Sequence, residues 1–188
     1  MMDMKENDYR KLEQIEEEQM RLLFKTDKSC SLHLMYLESG QVPARFQIKR
    51  MQLNMLKYIL NQKEKSLLYT MLLAQIAEPV KNDLYSTILS TSKEVNIKEN
   101  FEEIKTMDKS RFKNLVKEKC NQAAFNYLTE KQRKGSKGRD IQYNSLEMAD
   151  YLHPQANMSL EDQREIFSVR CRTNDLGANR GIIEYCET

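Results

Sequence analysis

Along most of this chain the apolar residues recur at intervals of three and four, and no run alternates with period two for long enough to read as a strand. The stretch around which the others are organised is Leu32 to Leu60, LHLMYLESGQVPARFQIKRMQLNMLKYIL. It opens with an apolar run, turns at Ser39-Gly40 and restarts at Pro43, where a proline in the first helical turn loses no hydrogen bond and presets φ. Two apolar stripes follow: Ile48, Met51, Met55 and Ile59 on one side, Phe46, Leu53, Leu56 and Leu60 on another. A helix apolar on two sides is expected to lie among neighbours, at the centre of the core.

The same spacing predicts helices before and after it. Residues 2–25 read as one helix, with Leu12, Ile15, Met20, Leu22, Leu23 and Phe24 on its apolar positions and Glu16, Glu17 and Glu18 in water. Glu64 to Glu78 reads as another, with Leu67, Leu68, Met71, Leu72 and Ile76 on one face and Pro79 ending it. Asn82 or Asp83 can cap the next, which carries Leu84, Tyr85, Ile88 and Leu89, and residues 91–100 read as a polar connection. Phe101, Ile104 and Met107 suggest a short helix. Asp108 then stands as an N-cap for the most periodic segment, whose stripe is Phe112, Leu115, Val116, Cys120, Ala123, Ala124, Tyr127 and Leu128. Lys109, Arg111, Lys113, Lys117 and Lys119 decorate its other side.

KQRKGSKGR, residues 131–139, has five bases and no acid, and its two glycines predict an exposed loop. Apolar spacing returns from Ile141 to Leu152, and Ser159 with Asp162 resembles a capping box for a last helix containing Leu160, Ile166, Phe167 and Cys171. The expected fold is all-α, a compact multi-helix domain of about six to eight helices with an N-terminal helical arm. The arm is expected over residues 1–28 and the helical domain over 29–188, irregular from about residue 173.

Composition agrees with this reading. A chain of 188 residues, 40% hydrophobic, can bury a sizeable core, and five Gly with three Pro favour long helices joined by short connections. Eleven Met beside nine Tyr, six Phe and no Trp give a core in which Met fills gaps. The net charge of +2 selects no partner, so any basic surface must come from local clustering. No run is apolar for the roughly 20 residues of a membrane span. The charged start MMDMKENDYRK has no signal-peptide core, so the expected location is intracellular, nucleus or cytoplasm. Cys30, Cys120, Cys171 and Cys186 are far apart and form no CxxC pair, so they read as buried thiols.

Catalytic chemistry finds no footing. His33 and His153 have no Cys, Asp or Glu at ligand spacing, and His33 sits in an apolar segment where packing is the plainer reading. Gly135-Ser136-Lys137-Gly138 lacks the spacing of a phosphate loop. The expectation is therefore no enzyme, no cofactor and no metal. Three basic features remain. The first is Lys131, Arg133, Lys134, Lys137 and Arg139, joined to Lys117 and Lys119; clustered bases neutralise phosphates, although a solvated linker is the alternative. The second is Arg45, Lys49, Arg50 and Lys57, for which ion pairs with Glu38 or with acids of the first helix are the competing reading. The third is Arg170 and Arg172 with the Asn174 to Gly181 loop, where guanidinium forks suit phosphate or carboxylate.

The segment YLESGQVPARFQIKRMQLNMLKYIL resembles the region that follows the reverse transcriptase domain in the polyproteins of animal non-LTR retrotransposons. LEQIEEEQMRLLF is similar to the helix just before it, at the end of the polymerase part. FKNLVKEKCNQAAFNYLTEK is similar to the family's Lys-rich helix, SKGRDIQYNSLEMADYLHP to its basic loop and Tyr-Leu-x-Pro segment, and FSVRCRTNDLGANRG to its Arg-x-Arg helix end. The resemblance spans Leu12 to Cys186 and implies structural roles for Glu38, Gly40 and Pro43 at the turn that launches the long helix. It implies a fragment without polymerase or endonuclease motifs, with Cys186 as at most one ligand of the zinc element that commonly follows in the family.

The implied work is to hold template RNA or target DNA beside a polymerase part of the same element, through Arg45, Lys49, Arg50, Lys117, Lys131, Arg133, Lys134, Lys137, Arg139, Arg170 and Arg172. A helical protein–protein interaction module, with the first helix packed on a partner, is the alternative. No membrane role is expected.

Overall fold

The computed structural model describes residues 6–135 and 141–172. Among them lie eight α-helices and two short 3-10 turns, with no strand. The helices are α1 (Glu6–Phe24), α2 (Leu32–Ser39), α3 (Ala44–Leu60), α4 (Leu67–Ala77), α5 (Leu84–Glu94), α6 (Phe101–Thr106), α7 (Lys109–Lys134) and α8 (Leu160–Arg172). The protein is all-α, with a helix at its N-terminal end. It divides into two units interleaved in sequence: Met1–Glu13 with Pro43–Ala124, and Gln14–Val42 with Phe125–Thr188. The divisions fall inside α1, between Val42 and Pro43, and inside α7.

In the first unit α3 packs against α4, α5 and α6. Leu53, Leu56, Ile59 and Leu60 of α3 meet Tyr69 and Leu72 of α4, Ile88 of α5, Ile104 of α6 and the α7 row Phe112, Val116 and Cys120 in one buried cluster. Only one of the two predicted α3 stripes is fully buried. Met51 is 68% exposed and Met55 37%, so the helix is apolar on two sides but enclosed on one. Helix α4 departs similarly. It starts at Leu67 because the Ser66 side chain accepts the Tyr69 backbone N–H. It buries Tyr69 and Leu72, while Leu67, Leu68 and Met71 are exposed. Nearly every position of α4 is apolar, so periodicity could not choose its inner face. Tyr69 takes the inner position because its hydroxyl keeps a partner, the Lys105 ammonium at 3.1 Å.

Local signals place most helix ends. Asp83 rather than Asn82 caps α5, accepting the Ser86 N–H at 2.6 Å, while Asn82 takes a left-handed φ of 68°. The polar run 91–100 is not all connection: α5 continues to Glu94, and Val95 and Ile97 are buried. Asn100 and Glu103 form a reciprocal capping box at α6, and Asp108 caps α7 by accepting the Ser110 and Arg111 N–H groups. The basic stretch is also partly helical. Helix α7 runs through Lys131, Arg133 and Lys134, where cations favour the negative end of the helix dipole; Lys137 and Arg139 lie outside the described residues.

The second unit is built on α2, which packs against α8. Every residue of α2 from Leu34 to Ser39 is buried, Glu38 completely. The Glu38 carboxylate accepts the Tyr143 hydroxyl, the Tyr151 hydroxyl at 2.9 Å and Arg170 Nε at 2.8 Å. Its backbone carbonyl accepts the Ala149 N–H at 2.9 Å, beside an isolated bridge between Ser39 and Met148. Gly40 then ends α2 at φ 65°, a left-handed conformation that favours glycine. A Cβ there would collide with the backbone of Glu147 and Met148. Pro43 is buried and lies one residue before α3, its carbonyl accepting the Phe46 N–H at 2.9 Å. The Glu38-Gly40-Pro43 turn is thus held by side-chain charge, backbone conformation and close approach.

Cys30, Cys120 and Cys171 are free and buried, as their apolar surroundings suggest; Cys186 lies outside the described residues. Burial pushes the Cys120 thiol up to about 11 from its ordinary 9.0, and raises Cys171 further. Burial, and then the Glu38 charge, raise the Tyr143 and Tyr151 phenols above their ordinary range.

Two predictions follow from this packing. Gly40→Ala forces a Cβ into both a left-handed backbone and the Glu147-Met148 backbone beside it, so it should lower stability by about 2 kcal/mol or more in urea denaturation. A midpoint within error of the parent would refute the close approach. Groups whose acid form is favoured by folding stabilise below their unfolded pKa, and that stability is lost as pH rises toward the folded value. With the Cys120 thiol raised from 9.0 to about 11, and the two phenols also raised, the urea midpoint should hold near neutral pH and fall from pH 9 to 11. A midpoint that stays level across that window would contradict these assignments.

Candidate nucleic-acid interface

The structure sorts the basic residues into those engaged within the protein and those presented to solvent. In the first unit Arg45 is engaged. Its guanidinium pairs with Glu13 and, at 3.2 Å, with Glu6, and it lies 5.5 Å over the Tyr9 ring. These acids belong to α1, as the ion-pair reading of this residue anticipated. Lys49 pairs with Glu94 of α5 and sits 5.1 Å from the Phe46 ring centre. Both bases line a polar cavity of about 260 Å³. Inside it Gln52 Oε1 accepts the Thr91 hydroxyl at 3.0 Å, and the buried Thr87 Oγ1 has no partner among the described residues. Three carboxylates surround these two cations, so the cavity offers no net positive charge. Arg50 is half-buried, and together with Lys49 its charge opposes the upward shift of the Cys120 thiol.

Lys57 is engaged most completely. It is 4% exposed, and its ammonium donates to the carbonyls of Ile104 at 2.7 Å, Lys105 at 3.0 Å and Met107 at 2.6 Å. All three protons of the ammonium are spoken for by the C-terminal end of α6, where cations are favoured. The charge read from sequence as a possible contact is a buried cap. In the second unit Arg170 is likewise engaged, through its pair with buried Glu38. Arg172 ends α8, and its side chain lies outside the description.

Scattered lysines such as Lys63, Lys65 and Lys81 are exposed, but the bases that are both outward and regularly spaced are on α7. Lys109, Arg111, Lys113 and Lys117 are exposed, and Lys119 is half-buried. Lys109, Lys113 and Lys117 are four residues apart, so they form one row along the helix with a rise of about 6 Å between neighbours. The row runs alongside the buried one: Phe112, Val116 and Cys120 repeat at the same interval and turn the adjoining face of this part of α7 into the first unit's core. The only carboxylates close in sequence are Glu118 and Asp108, and Asp108 is turned to its own helix's N–H groups, which lower its pKa. In the second unit Lys131, Arg133 and Lys134 are exposed at the end of α7, with Lys134 paired to Glu130 and Lys131 lying 5.5 Å over the Tyr127 ring.

Of the contact residues expected from sequence, Lys117, Lys131, Arg133 and Lys134 therefore face solvent, whereas Arg45, Lys49 and Arg170 are held in internal pairs. The expected set omitted Lys109, Arg111 and Lys113. For Lys109 and Lys113 the signal was present as the four-residue interval shared with Lys117, which only becomes a surface row once the inner face is known; Arg111 is off that interval. Among the described residues no group of three or more His, Cys, Asp or Glu could hold a metal ion, and no helix is long and apolar enough to cross a membrane. His33 is half-buried, edge-on to Tyr127 with ring centres 6.5 Å apart, and His153 is exposed.

This is an all-α protein with an exposed basic helix face. Comparisons with protein-family models, with curated proteins and with solved structures give no match.

The Lys57 cap gives a direct expectation. Lys57→Met keeps the side-chain length but leaves three carbonyls without their donor, and should cost on the order of 3 kcal/mol in chemical denaturation. A loss below about 0.5 kcal/mol would mean that water satisfies those carbonyls equally well.

Proposed function

We propose that the chain is a non-catalytic helical module that holds nucleic acid through the exposed basic face of α7, and that it derives from the region following the reverse transcriptase domain of a non-LTR retrotransposon. The observation that carries the binding reading is the row Lys109, Lys113 and Lys117, exposed and without a side-chain partner among the described residues. Flexible ammoniums in a row suit a chain of phosphates, and they bind it without reading its sequence. Arg45, Lys49 and Arg170 are left out of this set because a phosphate would have to displace a carboxylate from each.

The order of sequence motifs supports the proposed origin. Its key residues, Glu38, Gly40 and Pro43, are also those on which the turn between α2 and α3 depends, which is the kind of position a descendant of such a domain would retain. A polymerase part of the same element is the natural neighbour in this reading.

One observation favours the second reading, a protein–protein interaction module. Leu67, Leu68, Met71 and Leu73 of α4 are all exposed, Leu67 to 74%, on a helix without a charged residue. In the second unit, Leu22 and Leu23 of α1 are exposed as well.

Binding of labelled single-stranded RNA and duplex DNA across a salt series tests the proposal. Affinity should fall steeply with salt, and replacing Lys109, Lys113 and Lys117 by Gln should flatten the single-strand slope by about 2, three contacts at roughly 0.7 each. Absence of binding even at low salt would overturn the nucleic-acid reading and leave the α4 face as the functional surface.

A further inference from the structure

The basic face of α7 borders a cleft of about 480 Å³ in the first unit, formed with the C-terminal half of α3. The size is within the range of small-ligand sites. Phe112, fully buried, lies at its base, and Tyr58, 57% exposed, stands at its side. Two of the exposed row, Lys109 and Lys113, line it from α7. Lys57 contributes only its methylene stem, because its ammonium is committed to three carbonyls. Asn54 and Asn61 also line the cleft, and their side-chain carboxamides have no partner among the described residues. Gln62 donates its Nε2 to the Tyr58 carbonyl at 3.2 Å, which leaves its Oε1 as an acceptor.

These groups are complementary to one kind of ligand. An exposed aromatic ring offers a flat face, two ammoniums offer counter-charge, and carboxamides offer donors and acceptors at the edge of a flat group. We infer that the cleft seats one nucleotide of a single strand, with its base against Tyr58, its flanking phosphates on Lys109 and Lys113, and its base edge toward Asn54 and Asn61. The inference rests on the nucleic-acid reading above and narrows it to unpaired strands. A base inside a duplex already has both faces stacked and its edge paired, so it cannot enter. A single strand can turn a base inward while its backbone follows the lysine row, the combination of stacking platform and basic groove that single-strand binders use.

Fluorescence anisotropy with a labelled oligouridine strand and a labelled duplex tests this, comparing the full chain with Tyr58→Ala, Tyr58→Phe and Lys109→Gln/Lys113→Gln. All these positions are at the surface, and circular dichroism with a urea midpoint checks that each variant folds. Tyr58→Ala should weaken single-strand binding by about fivefold to 100-fold without changing its salt slope, and leave duplex binding unaltered. Tyr58→Phe should retain the affinity. The double lysine variant should flatten the single-strand slope by about 1.4. Unchanged strand binding by Tyr58→Ala, with a salt slope that still depends on the lysines, would overturn the nucleotide seat and leave the basic face standing. Failure of the parent chain to bind either probe at low salt would overturn the broader reading instead. Uridine monophosphate that competes as tightly as the strand would also overturn the assignment, in favour of a free-nucleotide site.

Discussion

A carboxylate shut away from water must find its hydrogen bonds and its counter-charge inside the protein, and in the second unit Glu38 imposes that requirement on three distant parts of the chain. Tyr143, Tyr151 and Arg170 converge on its two oxygens, and the backbone at Ala149 meets its carbonyl. None of these contacts is local: the nearest partner side chain is more than a hundred residues away. Removing one member would leave a buried charge or buried phenols unsatisfied, which is why such a cluster specifies one arrangement even where its net stabilisation is modest. Gly40 follows directly, since the chain must leave α2 through a left-handed turn while pressed against Glu147 and Met148.

Lys57 does the corresponding work in the first unit with the opposite sign. A buried ammonium closes the end of α6 and ties it to the last turn of the unit's central helix. The two devices share a logic. A helix end or a sharp turn leaves backbone groups unmet, and a single long charged side chain reaching from another element meets several at once. Each also removes a charge from the surface, so a count of Lys and Arg overstates what a ligand can find. After Arg45, Lys49, Lys57 and Arg170 are accounted for, the most coherent outward charge in the first unit is the α7 row. The cleft beside it owes its shape to the same packing, because Phe112 must face inward for Lys109 and Lys113 to face its mouth.

Much of the fold was legible before any tertiary structure. Side chains that cap a helix act within three residues, so Asp83, Asp108 and Ser159 announce their helices locally. Pro79 ends α4 for an equally local reason, since it disfavours helical geometry at Glu78. The α7 stripe was also plain, because apolar and charged positions alternate cleanly around that helix. Where a helix is apolar nearly all round, that contrast vanishes. The sequence of α4 therefore could not say that Tyr69 points in and Leu67 out, nor that of α3 that Met51 and Met55 lie on an open side.

The sequence by itself determined an all-α protein and the approximate positions of most of its helices. It did so because helix periodicity, capping and turn chemistry are short-range. Only the tertiary structure decided which charges are free. Whether Arg45, Lys57 or Arg170 meets a partner depends on residues 32, 47 and 132 positions away in the chain. That distance erases any local signal, and it is the reason an exposed lysine row and a buried lysine cap look alike until the chain is folded.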